Sequence, residues 1–297
     1  MTSRLAWVAV AAALPVAAVV GTAPFQPSTL IVNATIVDGT GSPARRGAVR
    51  VVDDRIAEVG ELTPRPGDRT VDAGGLVLAP GFIDTHSHHA GGLFEALDAP
   101  AVVSQGITTI VVGQDGSSDV PLEKFFERLA STPASVNVAS YAGHGTLRSR
   151  VMGEDFKRKA TPAEIETMAG LLRGEMKAGA LGLSTGLEYD PGIYSDPSEV
   201  IALAKVAAEA GGRYMSHVRS EDREFWTAVD EAIAIGREAR IPVQISHVKL
   251  GMRSLWGQSA RLIKTLHEAR AAGVNVTADI YPYTFWQSGM TVQFPNR

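Results

Sequence analysis

The sequence predicts an α/β protein in which a (β/α)₈ (TIM) barrel, incomplete at about seven strands, follows a small N-terminal β-sheet module. Three observations support this fold class. Residues 29–78 alternate short β-rich runs with turns, and after Pro80 apolar strands alternate with helical stretches. In addition, four of the seven histidines directly follow predicted strands, where a parallel barrel places its catalytic groups.

The composition is that of an ordinary globular protein and excludes several kinds of function. The 297 residues are 45% apolar and 20% charged, with a net charge of −4. Because no basic run or stripe occurs, we do not expect a nucleic-acid partner. The absence of cysteine excludes disulfides, zinc fingers and thiol nucleophiles. Any metal ion must therefore be held by His, Asp and Glu.

The first residues have the pattern of a leader. Arg4 precedes an uncharged apolar run over residues 5–20, and small residues follow at 21–23. A basic start, an apolar middle and a small-residue end are typical of a signal peptide. The run is also nearly long enough to cross a bilayer. We therefore expect residues 1–23 to be a signal peptide or an N-terminal anchor, and the protein to be exported, either periplasmic or secreted or held at the membrane by this segment.

Residues 24–78 are predicted to form a small β-sandwich module. Turn signals at Asp38-Gly39 and Asp53-Asp54 separate its β-rich runs. The predicted strands of this module cover residues 30–32, 48–52, 55–59 and 75–78.

Residues 79–297 are predicted to form the partial barrel. Its seven strands are placed at residues 81–84, 108–113, 137–141, 180–183, 213–216, 243–246 and 275–279. Two of the intervening helices begin with capping boxes, Thr161–Glu164 and Asp196–Glu199, each with proline at the first helical position. Seven strands are one fewer than a closed barrel needs, and an open barrel would expose sheet edges.

The histidines at the strand ends predict a metal site. His86 and His88 follow the first strand, His217 ends the fifth and His247 ends the sixth. Residues i and i+2 of an extended chain point the same way, so His86 and His88 can bind one ion. A lone histidine after a strand is more often an ordinary hydrogen-bonded residue. Four at strand ends, in a protein without cysteine, favour metal binding.

Two cations held close together need an anion between them, because neutral imidazoles supply no negative charge. The sequence offers two carboxylates at strand ends, Asp115 after the second strand and Glu188 after the fourth. In isolation each is also typical of a turn or a loop. A carbamylated lysine on the fourth strand could also supply the anion between two metal ions. Lys177 lies on the helix before that strand, so no lysine is placed to be carbamylated there.

Several motifs resemble a known family. Residues 79–88, Ala-Pro-Gly-Phe-Ile-Asp-Thr-His-Ser-His, resemble the first-strand motif of the amidohydrolase superfamily. Four further segments narrow the resemblance to its N-acyl-D-amino-acid deacylase (D-aminoacylase) branch: residues 143–148, 182–189, 246–249 and 281–283. The resemblance extends from about residue 29 to the C-terminus. It implies a zinc-dependent barrel of the amidohydrolase type that cleaves the linear amide of an N-acyl-D-amino acid to a carboxylate and a free D-amino acid.

The resemblance also implies metal ligands. His86 and His88 would bind one zinc ion, and His217 and His247 would bind the other, with one or two ions present. Members of this family commonly have a bridging cysteine in a Gly-Asn-Cys-Gly segment after the second strand. Residues 113–116 here read Gly-Gln-Asp-Gly instead. Members without the cysteine can use a carboxylate of the fourth strand, so we favour Glu188 over Asp115 as the bridge.

Three further roles follow from the resemblance. Lys249 would pair with the carboxylate of a small N-acyl amino acid substrate, and Tyr283 would donate a hydrogen bond to it. His144 would contact the scissile amide or the attacking hydroxide. The structural alternatives are an ordinary ion pair for Lys249 and core packing for Tyr283. No sequence feature indicates an obligatory protein partner.

One catalytic group of the superfamily, an aspartate that ends strand eight and moves the proton, has no counterpart after the seventh strand. Residues 284–297 contain neither Asp nor Glu. We therefore expect the 297-residue chain to be a C-terminally truncated form and to be inactive alone, or else to be a shortened, non-catalytic metal-binding relative. The alternative enzyme is a cyclic amidase that resembles hydantoinase or dihydroorotase. The presence of Lys249 and the absence of a lysine from the fourth strand argue against this alternative.

Overall fold

The computed structural model describes residues 27–288, and the chain divides into two compact units after Pro80. This division lies two residues beyond the boundary predicted at Leu78. The predicted leader, residues 1–23, lies outside the described residues. Among the helices of residues 27–288, none combines the length and the apolar character needed to cross a bilayer.

The first unit is a β-sheet around one long strand. Its strands are β1 (Ser28–Ile36), β2 (Arg45–Val52), β3 (Arg55–Gly60), β4 (Asp68–Asp72) and β5 (Val77–Leu78). β1 pairs antiparallel with β2, which pairs with β3, while β4 and β5 pair in parallel with successive parts of β1. Ala34, Ile36 and Val49 form its apolar core.

Two predictions for this unit need correction. The expected β-sandwich is, over residues 27–80, a single five-stranded sheet, because β4 and β5 both extend β1 and form no second layer. Strand β4 was not predicted. Its sequence is polar at four of five positions and nearly all of it is exposed, so no apolar pattern marks it.

The second unit contains the parallel strands of the incomplete barrel. They are β6 (Phe82–Asp84), β7 (Ile107–Val112), β8 (Asn137–Ser140), β9 (Ala142–Gly143), β10 (Gly182–Gly186), β11 (Arg213–His217), β12 (Val243–Ile245) and β13 (Val276–Ala278). β8 and β9 are two parts of the third strand, separated only by Tyr141; β8 pairs with β7, and β9 pairs with β10. The predicted α/β class and all seven barrel strands are confirmed.

The fourth strand begins at Gly182, two residues later than predicted. Gly182 has φ of +153°, and a Cβ atom there would lie 1.9 Å from the carbonyl oxygen of Arg213 on β11. Only glycine therefore permits β10 to approach β11 this closely.

Helices alternate with these strands. They are α1 (Ala90–Leu93), α2 (Pro100–Val103), α3 (Leu122–Ser131), α4 (His144–Met152), α5 (Pro162–Lys177), α6 (Pro197–Glu209), α7 (Phe225–Ala239) and α8 (Ser259–Ala271). The capping box of α5 is confirmed in both directions between Thr161 and Glu164. At α6, Asp196 accepts from the N–H of Ser198, but Glu199 turns inward and does not complete a second box.

The apolar faces of these helices pack on the strands and hold the strand ends in place. Leu183, Leu203, Tyr214, Val229 and Ile245 have no exposed surface. Burial of each of the four aliphatic side chains among them contributes about 1.5–3 kcal/mol relative to an exposed position. The loops after the strands are therefore carried on a well-packed scaffold.

Candidate metal centre

A cavity of about 930 Å³ lies at the carboxyl ends of the barrel strands. Five predicted metal ligands line it: His86, His88, Asp115, His217 and His247. Because the strands are parallel, their carboxyl ends lie on one side, and residues far apart in the chain meet there. The structure therefore brings these five residues together at the strand ends, as their positions in the sequence predicted.

Asp115 lies at the centre of three of these histidines. Its Oδ2 atom is 3.4 Å from His86 Nε2, 3.2 Å from His88 Nε2 and 3.4 Å from His247 Nε2. Its Oδ1 atom is buried and has no hydrogen-bond partner among the described residues. A buried carboxylate oxygen without a partner is costly, and a cation would satisfy it.

A turn of left-handed backbone presents Asp115 to the cavity. Gly113, Asp115 and Gly116 have φ of +75°, +53° and +80°. A Cβ atom at Gly113 would lie 2.3 Å from the carbonyl oxygen of Tyr141, so this position requires glycine. The hydroxyl of Tyr189 donates to the backbone carbonyl of Asp115 at 2.9 Å and holds the turn from the other side.

Glu188 contacts the fourth histidine. Its Oε2 atom is 2.9 Å from His217 Nε2, and its Oε1 atom accepts from the backbone N–H of Glu221 at 3.1 Å. Glu221 was not predicted. It belongs to the loop after β11, and its position four residues after His217 was the available signal.

Two carboxylates that the sequence did not single out lie behind the ligand histidines. Glu221 Oε1 is 2.9 Å from His247 Nδ1. Asp279 directly follows β13, and its Oδ1 atom is 3.3 Å from His86 Nδ1. The signal for Asp279 was its place at the end of the seventh strand.

These contacts shift the pKa values of the cluster. Burial lowers the pKa of His86 and of His247, but the carboxylates beside each ring outweigh this effect and raise both pKa values to about 9. For His86 these carboxylates are Asp115 and Asp279. For His247 they are Asp115 and Glu221. Burial raises the pKa of Asp115, yet hydrogen bonds from the surrounding histidines hold it well below its usual range. Without a cation, the cluster therefore holds protons that a metal ion would displace.

The donor set fits zinc. Three groups of side chains have their ligand atoms within 4.8 Å of one another: His86 with His88 and Asp115; Asp115 with His217 and His247; and Glu188 with His217 and Glu221. Nitrogen and carboxylate donors of this kind hold catalytic zinc. Among these groups, Asp115 is common to the two that together contain all four histidines. Glu188 shares only His217 with them.

The predicted substrate-binding residues lie at the same cavity. Lys249 donates to the Glu221 carboxylate, and its Nζ atom is 3.1 Å from His247 Nδ1. Tyr283 is 63% exposed and stacks between Tyr281 and Phe285, so it is not part of the core. Both side chains therefore border the space in which a ligand would lie.

His144 does not lie at the cavity, contrary to the predicted contact with the scissile amide. It is the first residue of α4 and is completely buried, with Nε2 2.8 Å from Glu199 Oε1 on α6. Arg148, one turn later, donates to both oxygens of Glu199 at 2.6 and 2.7 Å. The start of α4 thus directs the ring toward α6. Lys177 is the last residue of α5, so it does not enter strand four.

Comparison with known proteins gives the same assignment. A model of the Amidohydrolase family matches residues 69–245. The chain is 37% identical to an N-acyl-D-glutamate deacylase of Alcaligenes xylosoxydans xylosoxydans over 88% of its own length, and 37% identical to a D-aminoacylase of the same organism over 86%. It spans 57% of the length of each of these curated relatives.

A solved structure is similarly close. It is that of N-acyl-D-glutamate deacylase from Bordetella bronchiseptica, complexed with zinc and a phosphonate inhibitor that mimics the tetrahedral intermediate of the reaction. It matches with a TM-score of 0.84 and 37% identity, over 87% of this chain and 59% of that one. The resemblance predicted from the motifs is confirmed, and the chain belongs to the amidohydrolase family.

Proposed function

We propose that this chain carries the metal centre of a zinc-dependent hydrolase that cleaves the amide bond of N-acyl-D-amino acids. The observation that carries the proposal is the Asp115 carboxylate, with its Oδ2 atom 3.2–3.4 Å from ring nitrogens of three histidines. The similarity to N-acyl-D-glutamate deacylase and D-aminoacylase supports the reaction and the substrate class.

Asp115 is the better candidate for the residue between two ions. It belongs to the group that contains His86 and His88 and to the group that contains His217 and His247. We therefore favour Asp115 over Glu188 as the bridge, which reverses the preference drawn from the sequence. Glu188 would then fix His217 through its 2.9 Å contact.

The chain's own residues supply charge balance and substrate orientation. Zinc in such a site polarises the amide carbonyl and lowers the pKa of water toward about 7. Asp115 offsets the positive charge at the centre. Lys249 and Tyr283 would receive the substrate carboxylate, Lys249 as a charged donor and Tyr283 through its hydroxyl. Lys249 must then leave the Glu221 carboxylate and pair with the carboxylate of the substrate.

The experiment combines zinc binding with ligand binding and turnover. The zinc-loaded chain should bind a phosphonate analogue of an N-acyl-D-amino acid in calorimetry, and bind the L-enantiomer much more weakly. Amine release from N-acetyl-D- and N-acetyl-L-amino acids is measured in parallel. His247→Ala should lose zinc and, with it, phosphonate binding, whereas Glu268→Gln, a change on the exposed face of α8, should lose neither.

The outcomes separate the competing functions. A chain that binds zinc but neither the phosphonate nor the substrates would be a metal-binding relative without turnover, and the proposal would fail. Hydrolysis of a hydantoin or of dihydroorotate in preference to linear amides would favour the cyclic amidase. Full zinc occupancy in His247→Ala would contradict the ligand assignment.

We also propose that the protein is exported. The support is the sequence of residues 1–23, with Arg4 before an apolar run and small residues after it. Fractionation of cells that express the chain with and without residues 1–23 tests this. Export is expected only with the segment present, and an equal distribution of both forms would contradict it.

A further inference from the structure

We propose that Glu221 and Asp279 are positioning residues that determine which ring nitrogen of His247 and of His86 is presented to the metal. The inference rests on the metal centre proposed above. Each carboxylate lies against Nδ1 of its histidine, while Nε2 of both rings faces Asp115. Two residues from different loops thus act on the two rings in the same way.

The His247 ring lies between two carboxylates. Its Nδ1 atom is 2.9 Å from Glu221 Oε1, and its Nε2 atom is 3.4 Å from Asp115 Oδ2. A neutral imidazole carries one N–H, and an acceptor at Nδ1 keeps the proton there and leaves the Nε2 lone pair for a metal. Lys249 Nζ is 3.1 Å from the same Nδ1 atom, and an ammonium group only donates, so a proton on Nδ1 requires that Lys249 turn away from the ring, toward Glu221 or toward the substrate.

Asp279 connects both histidines. Its Oδ1 atom is 3.3 Å from His86 Nδ1 and accepts from the backbone N–H of His247 at 2.6 Å. Its Oδ2 atom accepts from Gln244 Nε2 at 2.6 Å, which fixes the carboxylate. His247 has φ of +33°, an uncommon conformation for a residue other than glycine, and the bond from its N–H helps to hold it there. Asp279 therefore holds the backbone of His247, and it is the carboxylate that lies beside His86 Nδ1, a buried atom with no hydrogen-bond partner among the described residues.

The test is the zinc affinity of the full chain, measured by competition with a chelator. Glu221→Leu and Asp279→Ala should each weaken zinc binding about 10–100-fold without changing the number of ions bound. Glu221→Gln and Asp279→Asn should retain most of the affinity, because an amide oxygen still accepts from Nδ1–H. Glu268→Gln is the matched control, since the Glu268 side chain is 63% exposed and, within the part of the chain that the structure describes, forms an ion pair with Lys264 alone.

A ¹⁵N spectrum of the zinc-loaded imidazoles provides a readout that a merely structural role would not move. In the unchanged chain, His86 and His247 should carry the proton on Nδ1. The apolar variants should lose this single protonation state, while circular dichroism confirms that they fold.

Three results would overturn the inference. Unchanged zinc affinity in both Glu221→Leu and Asp279→Ala would exclude a positioning role. Loss of a bound ion in Glu221→Gln would make Glu221 a direct ligand. A wild-type chain that binds no zinc would remove the proposed function together with the inference, whereas zinc binding that is insensitive to the variants would remove the inference alone.

Discussion

Two clusters in the second unit are built from the same kinds of side chain and differ in what completes them. The metal centre comprises His86, His88, Asp115, Glu188, His217 and His247. The buried cluster comprises His144, Arg148 and Glu199, all at most 1% exposed. In the buried cluster, the Arg148 guanidinium donates to both oxygens of Glu199. In the metal centre, the ionic partners of the Asp115 carboxylate among residues 27–288 are three histidines.

The comparison shows that a histidine beside a carboxylate does not by itself indicate a metal site. A permanent cation already neutralises Glu199, and the cluster does not border the cavity, so nothing remains for an ion to do. Asp115 has titratable neighbours and an adjacent open space. Each cluster also contains buried polar atoms without a partner, Asp115 Oδ1 in one and His144 Nδ1 and Arg148 Nε in the other. The missing permanent cation and the open space, rather than residue type, therefore distinguish the binding site from the structural one.

The largest expected effect is on stability, from Arg148→Met. This change leaves the Glu199 charge buried beside His144 alone, which should cost about 3–5 kcal/mol in the free energy of unfolding. Urea denaturation of the metal-free chain measures it. Adding Glu199→Gln should recover part of the loss. The zinc affinity of the folded variant should stay within about twofold of wild type, and a larger change would mean that the two clusters are not independent.

The opposite pattern is expected from Asp115→Asn. Asparagine tolerates positive φ and keeps the size of the side chain, but it removes the charge between the histidines. Zinc affinity should fall by more than roughly 100-fold, the largest loss expected when a residue that only hydrogen-bonds to a metal ligand is changed. Chelator competition measures it, with Glu199→Gln as the paired variant in the buried cluster. Equal affinities in the two variants would contradict the assignment of Asp115.

Ligand binding by the zinc-loaded chain should be weakened by Lys249→Met about 10–100-fold, because hydrogen bonds to charged groups contribute about 1.5–3 kcal/mol. Tyr283→Phe should cost less, about 2–10-fold, because it removes one neutral donor. Titration of the phosphonate analogue at saturating zinc measures both. The same loss in Tyr194→Phe, a change outside the residues that line the cavity, would show a non-specific effect.

The smallest effect concerns pH. In the metal-free chain, the pKa values of His86 and His247 are about 9 against an ordinary 6.5. Their protonated forms therefore stabilise the folded state fully below pH 6.5, and this contribution is lost as pH rises through about 9. The melting temperature should fall by a few degrees over that window, while zinc affinity rises because binding displaces the protons.

Calorimetry at several pH values tests this, with Asp115→Asn expected to flatten the decline. For Glu199, burial raises the pKa, but hydrogen bonds and charge from His144 and Arg148 lower it below its ordinary value. Its contribution is therefore present at neutral pH and lost only in acid. A metal-free chain whose melting temperature rises from pH 6.5 to 9 would contradict the prediction for the metal centre.

The sequence predicted the framework of the site better than the groups that support it. Strand periodicity located His86, His88, His217 and His247, because a parallel barrel brings all strand ends to one side. Glu221 and Asp279 were missed although Asp279 ends the seventh predicted strand and Glu221 lies four residues after His217, because only the fold shows which ring a carboxylate lies behind. His144 was assigned to the cavity from its motif, and the motif does not encode the direction in which α4 turns the side chain.

The left-handed backbone at Asp115 also restricts which amino acids can replace it during evolution. Asp and Asn enter positive φ readily, whereas branched side chains such as Val, Ile and Thr do so at considerable cost. A glutamate there would carry the same charge on a longer arm, but the carboxylate would overshoot the histidines unless the turn moved back. Among single mutations at residue 115, those to Asn or His therefore suit the backbone best, and a β-branched side chain would strain the turn that presents the ligand.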